Sequence, residues 1–268
     1  VRRAGSPSVR AKYRACPSIA YVSVDGTGAP MVPAALERRK GKQPDASAKT
    51  REVKLGCVFT QHRCDEQGRG VRDPDSTTYL CGLETAGDFG SRLRQEAFRR
   101  GMGQSEQTVV LGDGAAWIWE LARVNFGHAT EILDYYHARE HLTKLVHGLV
   151  GQGTPAAQRL LEVWETLLWE GQIDLLLRRA HRKAQGLNGL AERIAGTELN
   201  YFDKNRQRMQ YAEFRRAGLF IGSGVVEAGC KIVIGQRPTK RSPAHHLTQS
   251  KGFSLRDVTE FDHRSQTL

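Results

Sequence analysis

Apolar residues first fall into a pattern at Ile19. Ile19, Tyr21, Val22 and Val24 read as a buried strand over residues 19–25, and Asp25 arrives where Gly26-Thr27-Gly28 predicts a turn. Residues 36–52, LERRKGKQPDASAKTRE, have no apolar period and predict a polar, basic loop. VKLGCVFTQHR then alternates, with Val53, Leu55, Cys57 and Phe59 on one face and Lys54, Val58 and Thr60 on the other. GRGVRDPDS is a turn cluster, and TTYLCGLE alternates again with Tyr79, Cys81 and Leu83 on one side. The pattern predicts three consecutive antiparallel strands.

The period then changes. Asp88 is placed to cap a helix through FGSRLRQEAFRRG, with Phe89, Leu93, Ala97 and Phe98 as its inner stripe. QTVVLGD is a short continuous apolar run, the mark of a strand covered on both faces. GAAWIWELARVNF predicts a helix presenting Trp117, Leu121 and Val124, and ATEILDYYH a further strand leading into a helix over 138–150. Three strands followed by alternating helices and strands predict an α/β fold, a mixed five-stranded sheet with helices on its faces. From Thr154 to Arg216 the chain reads as wholly helical, with breaks at Gly171, Gly186, Gly189 and Gly196 and with Trp164 and Trp169 in its core. In GLFIGSGVVEAGCKIVIGQR, Gly222-Ser223-Gly224 predicts a turn, Ser223 is placed to cap a following helix, and Val226, Cys230 and Val233 are expected on its inner side. Residues 1–18 read as a basic N-terminal segment, 19–153 as the first part of the sheet domain, 154–216 as a helical insertion, 217–237 as the helix that completes the domain, and 238–268 as an irregular tail.

Charge narrows the function classes. Forty Lys and Arg against 29 Asp and Glu give a net charge of +11, which favours a polyanionic partner. No long basic amphipathic helix stands out, so nucleic acid leads over a membrane surface, and a merely basic globular protein is the plain alternative. No apolar run approaches the ~20 residues of a membrane span, and the start lacks a signal-peptide core. Five cysteines, an odd and sparse number, suit a reducing compartment better than a disulfide framework.

Two acids occupy equivalent slots. Asp25 and Asp113 each follow a buried strand and precede a glycine. With strands ordered 3-2-1-4-5 the first and fourth are neighbours, which sets these carboxylates side by side at the strands' carboxyl ends, where open α/β sheets form sites. Two close carboxylates repel, and a divalent cation between them removes the conflict. Taken alone, Asp25 is equally an ordinary turn residue. Glu227 stands isolated among Val, Ala, Gly and Cys on its helix, and its plain reading is an exposed pair with Lys231. An Asp, Asp, Glu set suits two Mg²⁺ or Mn²⁺ ions and phosphoryl transfer.

The segments YVSVDGTG, VVLGDGAAWIW, ILDYYHAREHL and IGSGVVEAGCKIVIGQR, together, resemble the DDE transposases of bacterial insertion sequences, of the ISKra type. The resemblance runs from Ile19 to Arg237, about four fifths of the chain. It implies a ribonuclease H-like fold with an all-helical insertion before the last catalytic helix, and Asp25, Asp113 and Glu227 as the catalytic, metal-binding triad. It also implies hydrolysis at the element's ends, attack of the freed 3′-OH on target DNA, assembly as a homo-oligomer on double-stranded DNA, and a bacterial, nucleoid-associated protein in the cytoplasm. Relatives are expected to carry a DNA-binding region before the first strand and further helical sequence after Arg237. The chain departs from both, which sets up the expectation of truncation at either end.

Weaker signals remain. Asp134 and His137 stand at the end of the fifth strand as neighbours of the triad, with His137 a candidate proton carrier or phosphate contact. His137 and His141 have the spacing of a zinc pair without the surrounding motif, which is the basis of a zinc-hydrolase alternative. Cys57, His62 and Cys64 lie close but lack a second pair. Lys204, Arg206, Arg208, Arg215 and Arg216, with Lys231 and Arg237, are candidate DNA-backbone contacts, against the default of a solvated helix face. A nucleic-acid-binding remnant without catalysis is the other alternative.

Overall fold

Six strands make one open, mixed sheet flanked by helices in the computed structural model, which describes residues 14–30 and 50–222. Of the predicted loop over 36–52, residues 36–49 lie outside the described residues, and residues 50–52 are strand instead, paired with Gly28–Pro30; the helix of Glu227 and the tail from 238 also lie outside the described residues. β1 (Arg14–Pro30) pairs antiparallel with β2 (Thr50–Cys64) and parallel with β5 (Gln107–Gly112). β6 (Thr130–Leu133) adds parallel to β5. The outer side of β2 is shared by β4 (Thr78–Gly82), along Lys54–Val58, and by β3 (Gly70–Arg72), along Gln61–Cys64. The expected order 3-2-1-4-5 therefore holds, with β3 as an extra short strand inside the predicted turn cluster.

β1 is longer than its apolar pattern. Residues 14–18 open the strand, with a register irregularity between Ala15 and Ile19. Gly26-Thr27-Gly28 is strand and not turn, because β2 continues to pair with it as far as Pro30 opposite Thr50. The parallel ladder to β5 stops at Val24 opposite Gly112. Asp25 thus sits where β1 loses one neighbour and keeps the other. Gly26 lies close to the Trp117 ring, where a Cβ would sit 3.2 Å from it.

Helices α1 (Ala86–Arg99) and α2 (Ala116–Asn125) pack on each other and on the sheet. Thr85, not Asp88, caps α1: its Oγ1 accepts from the Asp88 N–H at 3.2 Å and donates to Asp88 Oδ2 at 2.7 Å. Phe89, Leu93 and Ala97 are buried as expected, but Phe98 is 47% exposed. Glu96 takes the inner place beside them, held by Arg99 at 2.6 Å and Arg100 at 3.3 Å. In α2 the buried positions are Ile118, Trp119, Leu121 and Ala122, and Val124 is 64% exposed, so the predicted face was misphased at that end.

α3 (Tyr135–Val150) starts three residues earlier than expected, capped by Asp134. The helical stretch then runs as α4 (Pro155–Trp169), α5 (Ile173–Ala184), α6 (Gly189–Asn205) and α7 (Tyr211–Arg216). Gly171, Gly186 and Gly189 mark breaks, whereas Gly196 lies inside α6. Trp164 is buried, but Trp169 is 38% exposed, with the Arg215 guanidinium 3.8 Å from its ring. Among the described residues no helix is long and apolar enough to cross a membrane.

After α7 the chain crosses one sheet face. The Gly218 carbonyl accepts from Gln61 Nε2 at 3.1 Å, and the Phe220 N–H donates to the buried Tyr21 hydroxyl at 3.3 Å. The Phe220 ring meets Tyr21 and Phe59 edge-on, at 5.3 and 5.7 Å. The Ile221 carbonyl then accepts from the Tyr135 N–H at 2.9 Å. This path ends at the carboxyl ends of β5 and β6.

Candidate functional site

Register alone brings the acids together. Val24 is paired with Gly112 in the parallel ladder, so Asp25 and Asp113 are the next residues on adjacent chains. Gly112 is in turn paired with Leu133, and the Asp134 N–H donates to the Gly112 carbonyl at 2.8 Å. Asp25, Asp113 and Asp134 therefore follow one another at the line where the parallel ladders of β1, β5 and β6 end.

Their surroundings differ. Asp25 Oδ1 accepts from the Gly26 N–H at 2.7 Å, and Asp113 Oδ1 from the Ala115 N–H at 2.8 Å; both side chains are partly exposed. Asp134 is fully buried, and its Oδ1 accepts from the N–H groups of Tyr136 and His137 at 2.8 and 3.0 Å. Its role is a helix cap satisfying two otherwise unpaired donors. His137, part-buried on the first turn of α3, stays beside this cluster.

A second layer comes from α6, and periodicity did not flag it. The Tyr201 hydroxyl donates to the Asp113 carbonyl at 2.7 Å, across 88 residues of sequence. Gly114, at φ +99°, turns the chain beneath that ring, where a Cβ would lie 2.6 Å from Tyr201 Cε2. His141 of α3 stacks on Tyr201 with ring centroids 3.6 Å apart, and its Nδ1 lies 2.6 Å from Oε2 of the buried Glu198. Burial, together with the charges of Asp113, Asp134, Glu198 and Glu140, pushes the Tyr201 phenol well above its ordinary range, so it remains a donor. The Gly-flanked Asp113 turn is thereby pinned from above by a neutral hydroxyl. His141, engaged in this way, is not paired with His137 as a zinc site.

Several predicted residues fall elsewhere. Glu227, Lys231 and Arg237 lie outside the described residues. A Cβ at Gly222 would lie 2.9 Å from Tyr136 and 3.8 Å from Asp134 Oδ2, so the described chain passes beside Asp134 at this point. Among the described residues no group of three or more His, Cys, Asp or Glu is arranged to hold a metal ion. Cys57 is buried and its thiol is pushed up to about 12 by desolvation, only partly offset by Arg72, while His62 Nδ1 is bound to Asp73 at 2.5 Å. That chemistry does not suit a Cys57–His62–Cys64 zinc site. Of the basic candidates, Arg206 is paired with Asp174, Arg208 with Glu131 at 2.5 Å, and Arg215 lies 3.6 Å from Glu170. Lys204 and Arg216 are exposed.

No protein-family model matches the chain, and no curated protein matches it.

Proposed function

We propose that this chain is the catalytic domain of a DNA transposase of the DDE type, built on a ribonuclease H-like fold and cutting phosphodiester bonds with divalent metal. The observation that carries the reading is the adjacency of Asp25 and Asp113, set by the Val24–Gly112 pair of the parallel ladder. A mixed sheet in which the first strand is antiparallel to the second and parallel to the fifth supports it, as does an all-helical stretch after β6.

The donor chemistry fits Mg²⁺ or Mn²⁺. Two carboxylates at neighbouring positions provide oxygen-only ligation with room for water and phosphate oxygens, which is how Mg²⁺ is usually held. Asp25 and Asp113 would hold the ions, with Glu227 as the third carboxylate. Bound there, the metal would supply Lewis-acid stabilisation of an in-line displacement and activate the attacking oxygen. The protein's own part is orientation: backbone N–H bonds from Gly26 and Ala115 fix the two carboxylate planes, and Tyr201 fixes the turn that carries one of them. The net charge of +11 offsets the substrate's phosphates.

Nicking of supercoiled plasmid in Mg²⁺ or Mn²⁺ tests the proposal. Asp25→Asn, Asp113→Asn and Glu227→Gln are each expected to lower the rate by about 100-fold or more, within the range for removing a group that stabilises transition-state charge. Nicking at the parent rate in all three variants sinks the triad assignment.

A further inference from the structure

Helix α5 carries a cationic face. Ile173, Leu176, Leu177 and Ala180 are its buried side. Its exposed side presents Arg178, Arg179, Arg182 and Lys183, with His181 between them. At 100° per residue, Arg178 and Arg182 share one stripe and Arg179 and Lys183 the next, so the cations cover most of the exposed arc.

Two open grooves flank the helix. One, of about 570 Å³, is lined by Arg178, His181, Arg182 and Arg206 together with Asp174 and Asp203. The other, of about 400 Å³, has an apolar floor that includes Val150, Leu160 and Val163, with Arg159 of α4, Arg179 and Lys183 lining it as well. The two acids in the first groove are already engaged: Asp174 is paired with Arg206, and Asp203 with His181 at 3.0 Å. Arg159, Arg178, Arg179, Arg182 and Lys183 have no ion pair among the described residues. Among the described residues most other arginines have a carboxylate partner, as Arg69, Arg92, Arg99, Arg123 and Arg139 show. Among the described residues these five cations stand together on neighbouring helical turns, while Arg94, Lys144, Arg193, Lys204 and Arg216 are exposed singly without an ion pair.

Position gives the face a purpose. α6 bears Tyr201 on the Asp113 turn and, two residues on, Asp203 on α5. α6 thus links the Asp113 turn to α5. A duplex whose scissile phosphate meets Asp25 and Asp113 extends away from them on both sides, and α5 lies one helix beyond the Asp113 turn. We infer that the exposed face of α5, with Arg159, is a binding surface for the phosphate backbone of double-stranded DNA flanking the cleavage point. This rests on the transposase reading for the identity of the polyanion.

The test is fluorescence anisotropy of a labelled 40-base-pair duplex with the full chain, titrated in NaCl from 50 to 200 mM. The comparison is between the parent, the quadruple variant Arg178→Gln/Arg179→Gln/Arg182→Gln/Lys183→Gln, and Asp113→Asn. Each phosphate contact contributes about 0.9 to the slope of log affinity against log salt. The quadruple variant is expected to lose two to four slope units and at least tenfold in affinity at 100 mM salt, with an unchanged melting temperature. Asp113→Asn is expected to bind duplex like the parent while losing nicking. Equal slopes and affinities for parent and quadruple variant overturn the inference and leave the transposase reading intact. A parent that binds no duplex overturns both. Loss of binding to phosphatidylserine vesicles in the quadruple variant, with duplex affinity unchanged, assigns the face to a membrane surface and likewise overturns the inference.

Discussion

Tyr201 is the residue that most changes the meaning of Asp113. An Asp-Gly after a strand end is free to adopt several turns, and a catalytic carboxylate needs one. The hydroxyl of Tyr201 closes that freedom with a 2.7 Å hydrogen bond to the Asp113 carbonyl, and His141 backs the ring at 3.6 Å. A single neutral hydrogen bond contributes about 1 kcal/mol, or roughly fivefold in rate when it acts on positioning. Tyr201→Phe is therefore expected to lower metal-dependent nicking about fivefold and to raise the Mn²⁺ concentration required, with circular dichroism unchanged. Nicking at the parent rate across the whole Mn²⁺ range would show that the hydroxyl does not set the Asp113 turn. Both aspartates were legible in the sequence because each follows an apolar run and precedes glycine. Tyr201 was not, because nothing local distinguishes it from any other half-buried tyrosine on an amphipathic helix.

At the scale of elements, α1 shows how far periodicity reaches. Its four-residue spacing of Phe89, Leu93 and Ala97 located the helix and most of its buried face. The adjoining position went the other way: Phe98 faces outward under Arg94, whose guanidinium lies 4.8 Å from the ring, and Glu96 is buried instead. Burial raises the Glu96 carboxyl, but its bonds and charge contact with Arg99 outweigh that and hold it below the usual carboxylate range. Two ion partners made an acidic residue acceptable inside, which a hydrophobicity pattern does not express. Leu93→Ala is expected to cost about 2–5 kcal/mol in urea unfolding, whereas Phe98→Ala should stay within about 0.5 kcal/mol. Equal losses would mean that α1 presents both residues to the same core. Glu96 also sets a pH dependence. Its folded-state value is depressed, so its contribution is full above the ordinary glutamate range and is lost as pH falls through the lowered value. Glu96→Gln is expected to flatten the acid limb of a stability–pH profile, read as urea midpoints between pH 3 and 7. An unchanged acid limb would show that the Arg99 contact does not contribute.

For the whole molecule, the centre of the sheet and the outer helices are expected to differ in stability. Val22 of β1 and Val110 of β5 are paired in register and fully buried, with further strands on both sides. α5 packs chiefly on α4 and α6 and exposes its other side. Hydrogen exchange should therefore be slowest in the amides of the β1–β5 ladder, opening only with global unfolding, and faster by orders of magnitude in α5. Uniform exchange rates over both would contradict a core centred on that ladder. The same arrangement keeps the acids on the most rigid part of the fold and the unpaired cations on a helix that can adjust to a polyanion.

By itself, the sequence determined five of the strands, the helical stretch and the two aspartates that follow apolar runs, because each is written in residues close together along the chain. Apolar runs mark buried strands and four-residue spacing marks helices, and Asp-Gly marks an exit after β5 but not at Asp25, where β1 continues. Tertiary structure alone decided that β1 continues past Asp25, that Val24 stands opposite Gly112, that Tyr201 reaches Asp113, and that α5 keeps its cations unpaired. Those are contacts between residues tens of positions apart. Which distant donor meets which acceptor, and which acid neutralises which base, depends on how packed elements approach one another, and no local pattern encodes that approach.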